Sequence, residues 1–560
     1  MNKAIDCFLI GHNEMDFREY EKTVKKMGIH SGAYRDLALN FIEYNNHPYT
    51  ISEVFNLFCS DAANSKASAK PLRMGETFSA SIAYLVSYLS RRGFTYDYVN
   101  SFRDEKRVLA KKLAENDVLA VAITTTFYVA VFPILEIVNF IKKYNPYTKI
   151  IIGGPFVATQ VQILDDGELH YLFKSIGADF YVNSSQGETT LEKIIHHLKN
   201  KQPVDQINNI YYKTDNGYVS TPIVKENNRL ADNMVNWDLL ADGLGEYVNV
   251  RTAVSCPFSC AFCGFPQHAG KYQIAPVEAI ENELDQLDKP GTVKCVHFID
   301  DTFNVPLKRY KDILRMIIKN KYKFQWHSYF RCQFADRETV ELMKESGCEG
   351  VYLGLESGND QILKNMNKGT KTGEYLKGIA LLKEYEIVTF SSFVIGFPGE
   401  THETVQDTIR LIENSGLDFY RAQLWYCDPI TPIWREREKY QLEGERFEWS
   451  HATMDSPTAC DLIEDIFLSI KKSTWIPQYN FDFDNFWHLV HRGMNPEQVK
   501  GFLKSFNNGI REKILNPSPT EASFEIIKQI VKSCQAARPT DDIFNNKNNL
   551  IEKYDVEFKF

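Results

Sequence analysis

Long apolar stretches are missing from this sequence. No window approaches the ~18 uninterrupted apolar residues that a membrane helix needs. At the N-terminus one lysine and a short apolar run soon meet His12, Asn13 and Glu14, a pattern that differs from a signal peptide. We therefore expect a cytoplasmic protein.

Concentrated charge is also scarce. The 560 residues carry a formal net charge of -9, from 64 Lys and Arg against 73 Asp and Glu, and they contain no long basic run. Nucleic acids and membrane surfaces are bound through clustered Lys and Arg, so we expect neither as a partner. A small-molecule or peptide substrate is the better expectation.

Cysteine is sparse and mostly scattered, with eleven residues over the chain. This spacing excludes a dense disulfide framework and is typical of small buried side chains. One trio is clustered, Cys256, Cys260 and Cys263 in SCPFSCAFCG. Three thiolates on one loop can bind three irons of a cubane and leave the fourth iron without a protein ligand. A zinc site with His268 as fourth ligand, a disulfide and chance clustering stay open as alternatives.

The length indicates more than one domain, since 560 residues exceed what one hydrophobic core usually fills. From residue 71 to about 245, short β-rich runs alternate with amphipathic helical runs, which is typical of an open parallel sheet covered by helices. The run AIDCFLIG predicts its first strand. We place a Rossmann-like α/β domain at 1–210 and a linker at 211–245, which opens with a hairpin. The segment between the first strand and residue 75 stays unassigned.

A second alternating series fills residues 246–445. Its strands are predicted at VNVRTAVS, KCVHFID, FQWHSYFR, GVYLGLES, VTFSSFVIGF and YRAQLWYC. Six repeats of strand and helix suffice for a partial (β/α)6 barrel, in which functional residues lie at the carboxyl ends of the strands. Residues 446–560 lose the strand pattern and are predicted to be helical.

The cysteine trio follows the first strand of this series with the spacing C-x3-C-x2-C, and the aromatic Phe262 precedes its last cysteine. This motif resembles that of the radical S-adenosylmethionine (SAM) superfamily. The resemblance implies that Cys256, Cys260 and Cys263 bind a 4Fe-4S cluster whose open iron chelates SAM. It also implies an external electron donor such as a flavodoxin or ferredoxin.

Residues at the ends of the predicted strands are candidate SAM contacts under this resemblance. The second strand ends in FIDDTF, which resembles an element of the cobalamin-dependent branch of the superfamily. Arg331 offers a guanidinium to the SAM carboxylate, and Glu356 can accept from the SAM ammonium or ribose. Each residue alone also fits a turn or a solvated strand end. The candidate SAM contacts are Phe262, Asp300, Asp301, Arg331, Glu356, Ser357 and Gly396, the last letting the backbone approach the adenine.

An open parallel sheet in front of such a barrel resembles the cobalamin-binding domain of this branch. That domain needs small hydroxyl residues after one strand and a glycine pair after another. The branch's Asp-x-His-x-x-Gly signature is absent, so we expect no lower histidine ligand to cobalt, although His12 and Arg73 are considered as neighbours of the cobalt. An ordinary flavodoxin-like domain stays open as the alternative. The candidate cobalamin contacts are Thr124, Thr125, Thr126, Gly153, Gly154, Gly187 and Glu188.

Within this branch, AIDCFLIGHNEMDFREYE and SGAYRDLALNFIEYNN resemble the PhpK-type group, named for a phosphinate P-methylase. This implies a methyltransferase that uses a 5'-deoxyadenosyl radical and methylcobalamin on an unactivated carbon, or a phosphinate phosphorus, of a natural-product precursor. A non-methylating rearrangement, cross-link or epimerisation stays open, as does a sensor without turnover. The sequence assigns no catalytic residue. Trp326, Tyr329, Trp425 and Tyr426 are candidates for the cavity wall or for the barrel core.

Overall fold

The computed structural model describes residues 3–13, 16–58, 71–73, 76–126, 128, 130–479, 481–518 and 521–535. Parallel sheets carrying helices dominate it, which confirms the α/β fold class. The strands are β1 Ala4–His12, β2 Phe41–Tyr44, β3 His47–Thr50, β4 Thr77–Phe78, β5 Tyr96–Ser101, β6 Asp117–Thr124, β7 Lys149–Gly153, β8 Phe180–Val182, β9 Ile210–Thr214, β10 Gly217–Ser220, β11 Tyr247–Val250, β12 Ala253–Val254, β13 Gln273–Ile274, β14 Cys295–Phe298, β15 Gln325–Phe330, β16 Cys348–Glu356, β17 Val388–Ile395, β18 Phe419–Leu424, β19 Glu443–Glu445, β20 Glu448–His451, β21 Met454–Asp455 and β22 Thr474–Trp475.

The helices alternate with these strands along most of the chain. They are α1 Phe17–Lys25, α2 Gly32–Ala38, α3 Ile51–Phe58, α4 Ala80–Ser90, α5 Lys106–Glu115, α6 Phe132–Tyr144, α7 Pro155–Ile163, α8 Asp166–Ile176, α9 Glu188–Lys199, α10 Phe265–Ala269, α11 Val277–Asp288, α12 Leu307–Asn320, α13 Arg337–Glu345, α14 Asp360–Asn365, α15 Thr372–Glu384, α16 His402–Ser415, α17 Arg437–Tyr440, α18 Ser456–Ser469, α19 Phe483–His491, α20 Pro496–Leu515 and α21 Phe524–Gln535. Among the described residues, none of these helices has the length and apolar character needed to cross a bilayer.

The first sheet has the strand order β10-β9-β8-β7-β6-β1-β5 in the described part of the chain. Its strands from β5 to β8 are parallel, and the hairpin β9–β10 joins β8 in antiparallel fashion, so the sheet continues past residue 210. The middle of β1 and of β6 is almost wholly buried, as expected where helices cover both faces. Strand order reverses between β1 and β6, and such a reversal leaves a crevice at the carboxyl ends of the strands.

The second sheet has the order β22-β18-β17-β16-β15-β14-β11-β4, with all neighbours parallel. The six strands from β11 to β18 follow one another in sequence order, as predicted for a partial barrel. Within the described residues, the two-residue strands β4 and β22 form its outer edges and do not pair with each other. The second sheet is therefore open.

Residues 16–58, which belong to the segment that the sequence left unassigned, pack against the C-terminal helices. Arg35 of α2 lies 2.6 Å from Glu464 of α18. Lys513 of α20 donates to the carbonyl oxygens of Ala38 and Phe41, each at 2.7 Å. Both ends of the described chain therefore support the edge of the second sheet that carries β18 and β22.

The region after residue 445 is mostly helical in the part that is described, but β20, β21 and β22 lie within it and were not predicted. Residues 536–560 of this region, and Cys59, lie outside the described residues. Cys534 is disulfide-bonded, so it differs from the other scattered cysteines. The scattered cysteines that are buried free thiols, as expected, are Cys7, Cys295, Cys332, Cys348, Cys427 and Cys460.

Candidate active site

A cavity of about 740 Å³ lies between the carboxyl ends of the first sheet and the inner face of the second. It occupies the crevice beside β1 and β6 where the strand order reverses, which is the usual ligand site of such sheets. From the first sheet it is lined by His12, Asn100, Thr124, Thr126, Gly153, Gly154, Ser184, Ser185, Gln186, Gly187 and Glu188. From the second sheet and its loops it is lined by Asn249, Arg251, Ser255, His268, His297, Asp301, Tyr329, Tyr352 and Arg421.

The hydroxyl and glycine residues predicted to contact cobalamin lie together at this crevice. Most of them line the cavity, and one of them instead connects two strands. Thr125 is fully buried and its hydroxyl donates to the carbonyl oxygen of Gly153 at 2.9 Å, so it ties β6 to β7. Gly154 has a φ of +112°, and a Cβ there would lie 2.8 Å from Thr125 Oγ1. Thr124, Thr126 and the two glycines line the cavity, whereas Thr125 stands behind the wall.

Gly187 and Glu188 begin helix α9 at the other side of the crevice. Gly187 has a φ of +81°, and Asn228 Nδ2 donates to Glu188 Oε2 at 2.9 Å. Burial raises the pKa of Glu188 to about 7, against the lowering effect of Arg251. Ser185 and Gln186 of the same turn also line the cavity and were missed, because polar residues between a strand and a helix are common in any loop.

The three further candidates near the cofactor sites fall in different places. His12 ends β1 and lines the cavity. Arg73 is exposed and forms an ion pair with Asp104, so it belongs to the solvated surface. His268 lines the cavity with its Nε2 3.4 Å from Thr159 Oγ1.

The loop carrying the cysteine trio is fixed by hydrogen bonds to two later parts of the chain. The Ala261 N–H donates to the Met366 carbonyl at 2.8 Å, and Asn367 Nδ2 donates to the Ser259 carbonyl at 2.9 Å. The Ile433 N–H donates to the Ala261 carbonyl at 2.9 Å. These three hydrogen bonds fix the shape of the loop.

The donor set fits an iron-sulfur cluster. Cys256, Cys260 and Cys263 are free thiols on this fixed loop, and burial raises the pKa of Cys263 to about 12. These thiols would release protons as they bind iron. Among the described residues, no three ligand atoms of this trio and His268 lie within 4.8 Å of one another.

A buried polar group stands beside this loop. Lys368 Nζ lies 3.0 Å from Glu356 Oε1, with both side chains about nine-tenths buried. Arg331 donates to the Lys368 carbonyl oxygen and stacks 3.6 Å above the Phe258 ring. Lys368 also lies 5.6 Å from the centre of the Phe262 ring. The structure therefore brings the predicted Arg331, Glu356 and Phe262 together through Lys368, which the sequence analysis missed.

The two aspartates after β14 have different surroundings. Asp300 is buried and accepts from the N–H groups of Thr252 and Ala253 at 2.7 and 2.8 Å. These hydrogen bonds to Asp300 direct the chain away from the second sheet after residue 250. The predicted strand VNVRTAVS is therefore two separate strands, β11 and β12. Asp301 faces the cavity, where the surrounding protein and Asp300 raise its pKa to about 7.

Two other predicted SAM contacts are surrounded by protein. Ser357 is fully buried, and its hydroxyl accepts from the Asn359 N–H at 3.2 Å. Gly396 has a φ of +91°, and a Cβ there would lie 2.3 Å from the Trp449 ring. The glycine therefore makes room for Trp449, and its contact with SAM stays a prediction.

The four aromatic candidates lie in different surroundings. Tyr329 lines the cavity. Trp326 and Trp425 are fully buried core residues, whereas Tyr426 is 43% exposed and packs on Phe447.

An unpredicted group of polar side chains lies where α19 crosses the inner face of the second sheet. His297, Arg421, Asp482 and Asp484 line the cavity, and His327 lies behind them. Burial alone would raise the pKa of Asp484, but the two histidines hold it well below its usual range. Burial and His297 lower the pKa of His327, whereas Asp484 raises that of His297 despite burial.

Comparison with known proteins agrees with this picture. Residues 250–412 match the family model of the radical SAM superfamily. An uncharacterized methyltransferase of Pyrococcus horikoshii is 26% identical over 345 residues, which are 60% of this chain and 72% of that protein. An anaerobic magnesium-protoporphyrin IX monomethyl ester cyclase of Cereibacter sphaeroides is 23% identical over 395 residues, 67% of this chain and 62% of that protein.

Two solved structures share the fold. The radical SAM methyltransferase TsrM from Kitasatospora setae, with cobalamin and a [4Fe-4S] cluster bound, matches with a TM-score of 0.59 at 16% identity. That match covers 80% of this chain and 97% of TsrM. The cobalamin-dependent radical enzyme OxsB, with aqua-cobalamin and SAM bound, matches with a TM-score of 0.57 at 14% identity, over 94% of this chain and 78% of OxsB.

Residues 250–412 of the chain thus match a radical SAM domain, and the chain is an enzyme. A domain of this kind implies a 4Fe-4S cluster and SAM as cofactors. At such low identities the structural matches show the fold alone. Membership of the PhpK-type group stays a prediction.

Proposed function

We propose that this chain is a cobalamin-dependent radical SAM methyltransferase. Its substrate is proposed to be a small molecule or peptide, methylated at an unactivated carbon or a phosphinate phosphorus. The observation that carries the proposal is the single cavity shared by the crevice of the first sheet and the inner face of the second. A corrinoid in the crevice and a substrate against the second sheet would meet there without crossing solvent.

The residues of the chain divide between three tasks. Cys256, Cys260 and Cys263 would hold the cluster, and Arg331 with Glu356 would bind the charged groups of SAM. The crevice residues described above would hold cobalamin. When bound, the cluster with SAM supplies a hydrogen-abstracting radical and cobalamin supplies the methyl group.

The protein's own contribution is to orient these groups and exclude water. The Lys368 ammonium lies 3.0 Å from the Glu356 carboxylate, and the Lys368 carbonyl oxygen accepts a hydrogen bond from Arg331. These contacts orient the side chains of Glu356 and Arg331. Tyr329 and Tyr352 line the cavity with ring centres 5.0 Å apart, beside the polar side chains of His297, Asp484 and Arg421. These rings would narrow the space that water can occupy beside a bound substrate.

A second candidate function rests on one specific observation. Three of the similar proteins are anaerobic magnesium-protoporphyrin IX monomethyl ester cyclases, whose name describes ring closure and not methyl transfer. The same cavity would serve a non-methylating rearrangement or cross-link. Methyl labelling separates the two functions.

The test uses the full-length protein, reconstituted without oxygen and supplied with cobalamin, a reductant and SAM whose methyl group is deuterated. We expect one cobalamin to bind per chain and to take up the labelled methyl group. With candidate substrates, the product should be heavier by one labelled methyl group. Formation of 5'-deoxyadenosine with no label in cobalamin or in product would favour the rival function, and failure to bind cobalamin would exclude both.

A further inference from the structure

Three side chains of metal-binding type meet at the inner face of the second sheet, away from the cysteine trio. They are His297 of β14, His327 of β15 and Asp484 of α19. One ligand atom of each lies within 4.8 Å of the other two. None of these three residues is among those assigned above to the cluster, to SAM or to cobalamin.

The spacing of the ligand atoms suits a metal ion. His327 Nε2 lies 2.7 Å from Asp484 Oδ1, and His297 Nδ1 lies 3.1 Å from the same carboxylate. Around an ion with ligands at 2.0–2.1 Å in right-angled positions, neighbouring ligand atoms lie about 2.9 Å apart. The two measured separations are close to the edges of such a shell, and the third pair, His297 with His327, lies within 4.8 Å. In a tetrahedral zinc site neighbouring ligand atoms lie about 3.3 Å apart, so both contacts with Asp484 would lengthen on binding.

The surroundings orient these ligands as metal sites require. The second ring nitrogen of His327, Nδ1, lies 3.2 Å from Cys295 Sγ, which fixes the ring. Asp482 accepts from the Asp484 N–H at 2.9 Å and holds the first turn of α19 in place. The three ligand side chains are 4%, 13% and 19% exposed for His327, His297 and Asp484. The site is thus buried and still open to the cavity, since His297 and Asp484 line it.

We propose that His297, His327 and Asp484 bind one divalent transition-metal ion. Two imidazoles and one carboxylate favour ions such as zinc or ferrous iron over magnesium or calcium, which prefer oxygen ligands alone. The remaining coordination positions of the ion face the cavity, where an oxygen of a substrate can reach them. This site goes beyond the proposed methyl transfer and does not depend on it.

The competing explanation is a hydrogen-bonded group that only fastens α19 to the second sheet. Both explanations give the same distances, so the experiment measures metal directly. Full-length protein carrying its cluster is dialysed without oxygen against micromolar zinc, and bound zinc and iron are counted by mass spectrometry. The iron count reports whether the cluster stays intact.

We expect one zinc per chain in the wild type. The variants His327→Gln and Asp484→Asn should bind it at least tenfold more weakly, with unchanged iron. His268→Gln is the matched control, because it removes an imidazole from the same cavity but from outside the group. The His268→Gln variant should bind one zinc per chain, as the wild type does.

Two results would overturn the site. One is zinc binding that persists in all variants of the group, and the other is no zinc retained by the wild type. Should His327→Gln lower the iron content or the melting temperature, His297→Gln at the cavity wall takes its place. Because zinc is counted on the enzyme before any reaction, a failure of methyl transfer leaves this result readable.

Discussion

Lys368 connects three parts of the SAM side of the site. Its ammonium lies 3.0 Å from Glu356, and its carbonyl oxygen accepts from Arg331. Glu356 has a φ of +66°, a conformation that costs energy for a residue with a side chain. The ion pair helps to hold that conformation where the strand meets the cluster loop.

Replacing Lys368 by methionine should leave the Glu356 carboxylate buried and unpaired. Removing one partner of a buried pair typically costs about 3 kcal/mol of stability. We also expect the SAM dissociation constant to rise at least tenfold, or about 1.4 kcal/mol, because Glu356 and Arg331 lose their orientation. Equilibrium SAM binding checks this, with the exposed Lys364→Met as control, and unchanged SAM affinity would argue against the assignment.

Glu400 makes the stability of the fold depend on pH. Its side chain is fully buried, Oε2 accepts from the Gly396 N–H at 2.5 Å, and burial raises its pKa to about 8 from an ordinary 4.5. Between those two values the folded state keeps a proton that the unfolded state has released. Stability therefore falls as pH rises from about 5 to 8, by at most about 1.4 kcal/mol per pH unit.

The variant Glu400→Gln removes this titration while keeping the shape of the side chain. Between pH 6 and 8, the free energy of unfolding of the wild type should fall relative to that of the variant. Above pH 8.5 the difference between the two free energies should no longer change. Parallel unfolding experiments across this range measure the difference. A constant difference would contradict the raised pKa.

At the scale of elements, the turn from β7 into α7 shapes the floor of the cavity. Gly154 has a φ of +112°, and a Cβ would lie 2.8 Å from Thr125 Oγ1. Gly154→Ala should therefore cost about 2 kcal/mol and weaken cobalamin binding, since both backbone strain and a close contact are introduced.

Gly28 provides the matched control. Its φ is +106°, and nothing lies within 4 Å of the position of a Cβ. Gly28→Ala should cost only the backbone strain, about 1 kcal/mol, and leave cobalamin binding unchanged. Equal losses of stability in the two variants would show that the close contact with Thr125 does not destabilise Gly154→Ala.

Elements with a clear period were predictable, and those defined by distant contacts were not. The predicted strands AIDCFLIG and FQWHSYFR match β1 and β15 to within one residue at each end. Helix α7 was missed because PFVATQVQI has little amphipathic period and two valines. The separation of β12 from β11 depends on Asp300, a contact across 48 residues.

The site shows the same limit. The cysteine trio and most of the crevice residues were predicted from a family resemblance, which short motifs at the ends of strands carried. Lys368 lies 12 residues beyond its partner Glu356, and Asp484 reaches His327 across 157 residues. No periodic pattern encodes such encounters, because they depend on how the elements pack.

At the scale of the whole molecule, the N-terminal segment is held by the C-terminal helices. Arg35 lies 2.7 Å from Asp461 and 2.6 Å from Glu464, with its own side chain 17% exposed. A double-mutant cycle of Arg35→Ala and Glu464→Ala should give a coupling of about 1 kcal/mol, because the pair is partly shielded from water. The exposed pair Arg337 and Glu384 is the control and should couple less. Equal coupling in both cycles would contradict the shielding.

The proposed activity depends on a cluster whose open iron cleaves SAM. Full-length protein, reconstituted without oxygen, should contain about four irons per chain and release 5'-deoxyadenosine from SAM under a strong reductant. The variant with Cys256, Cys260 and Cys263 all replaced by alanine should bind no cluster and release none. A wild type without iron, or a triple variant that still forms 5'-deoxyadenosine, would contradict the account.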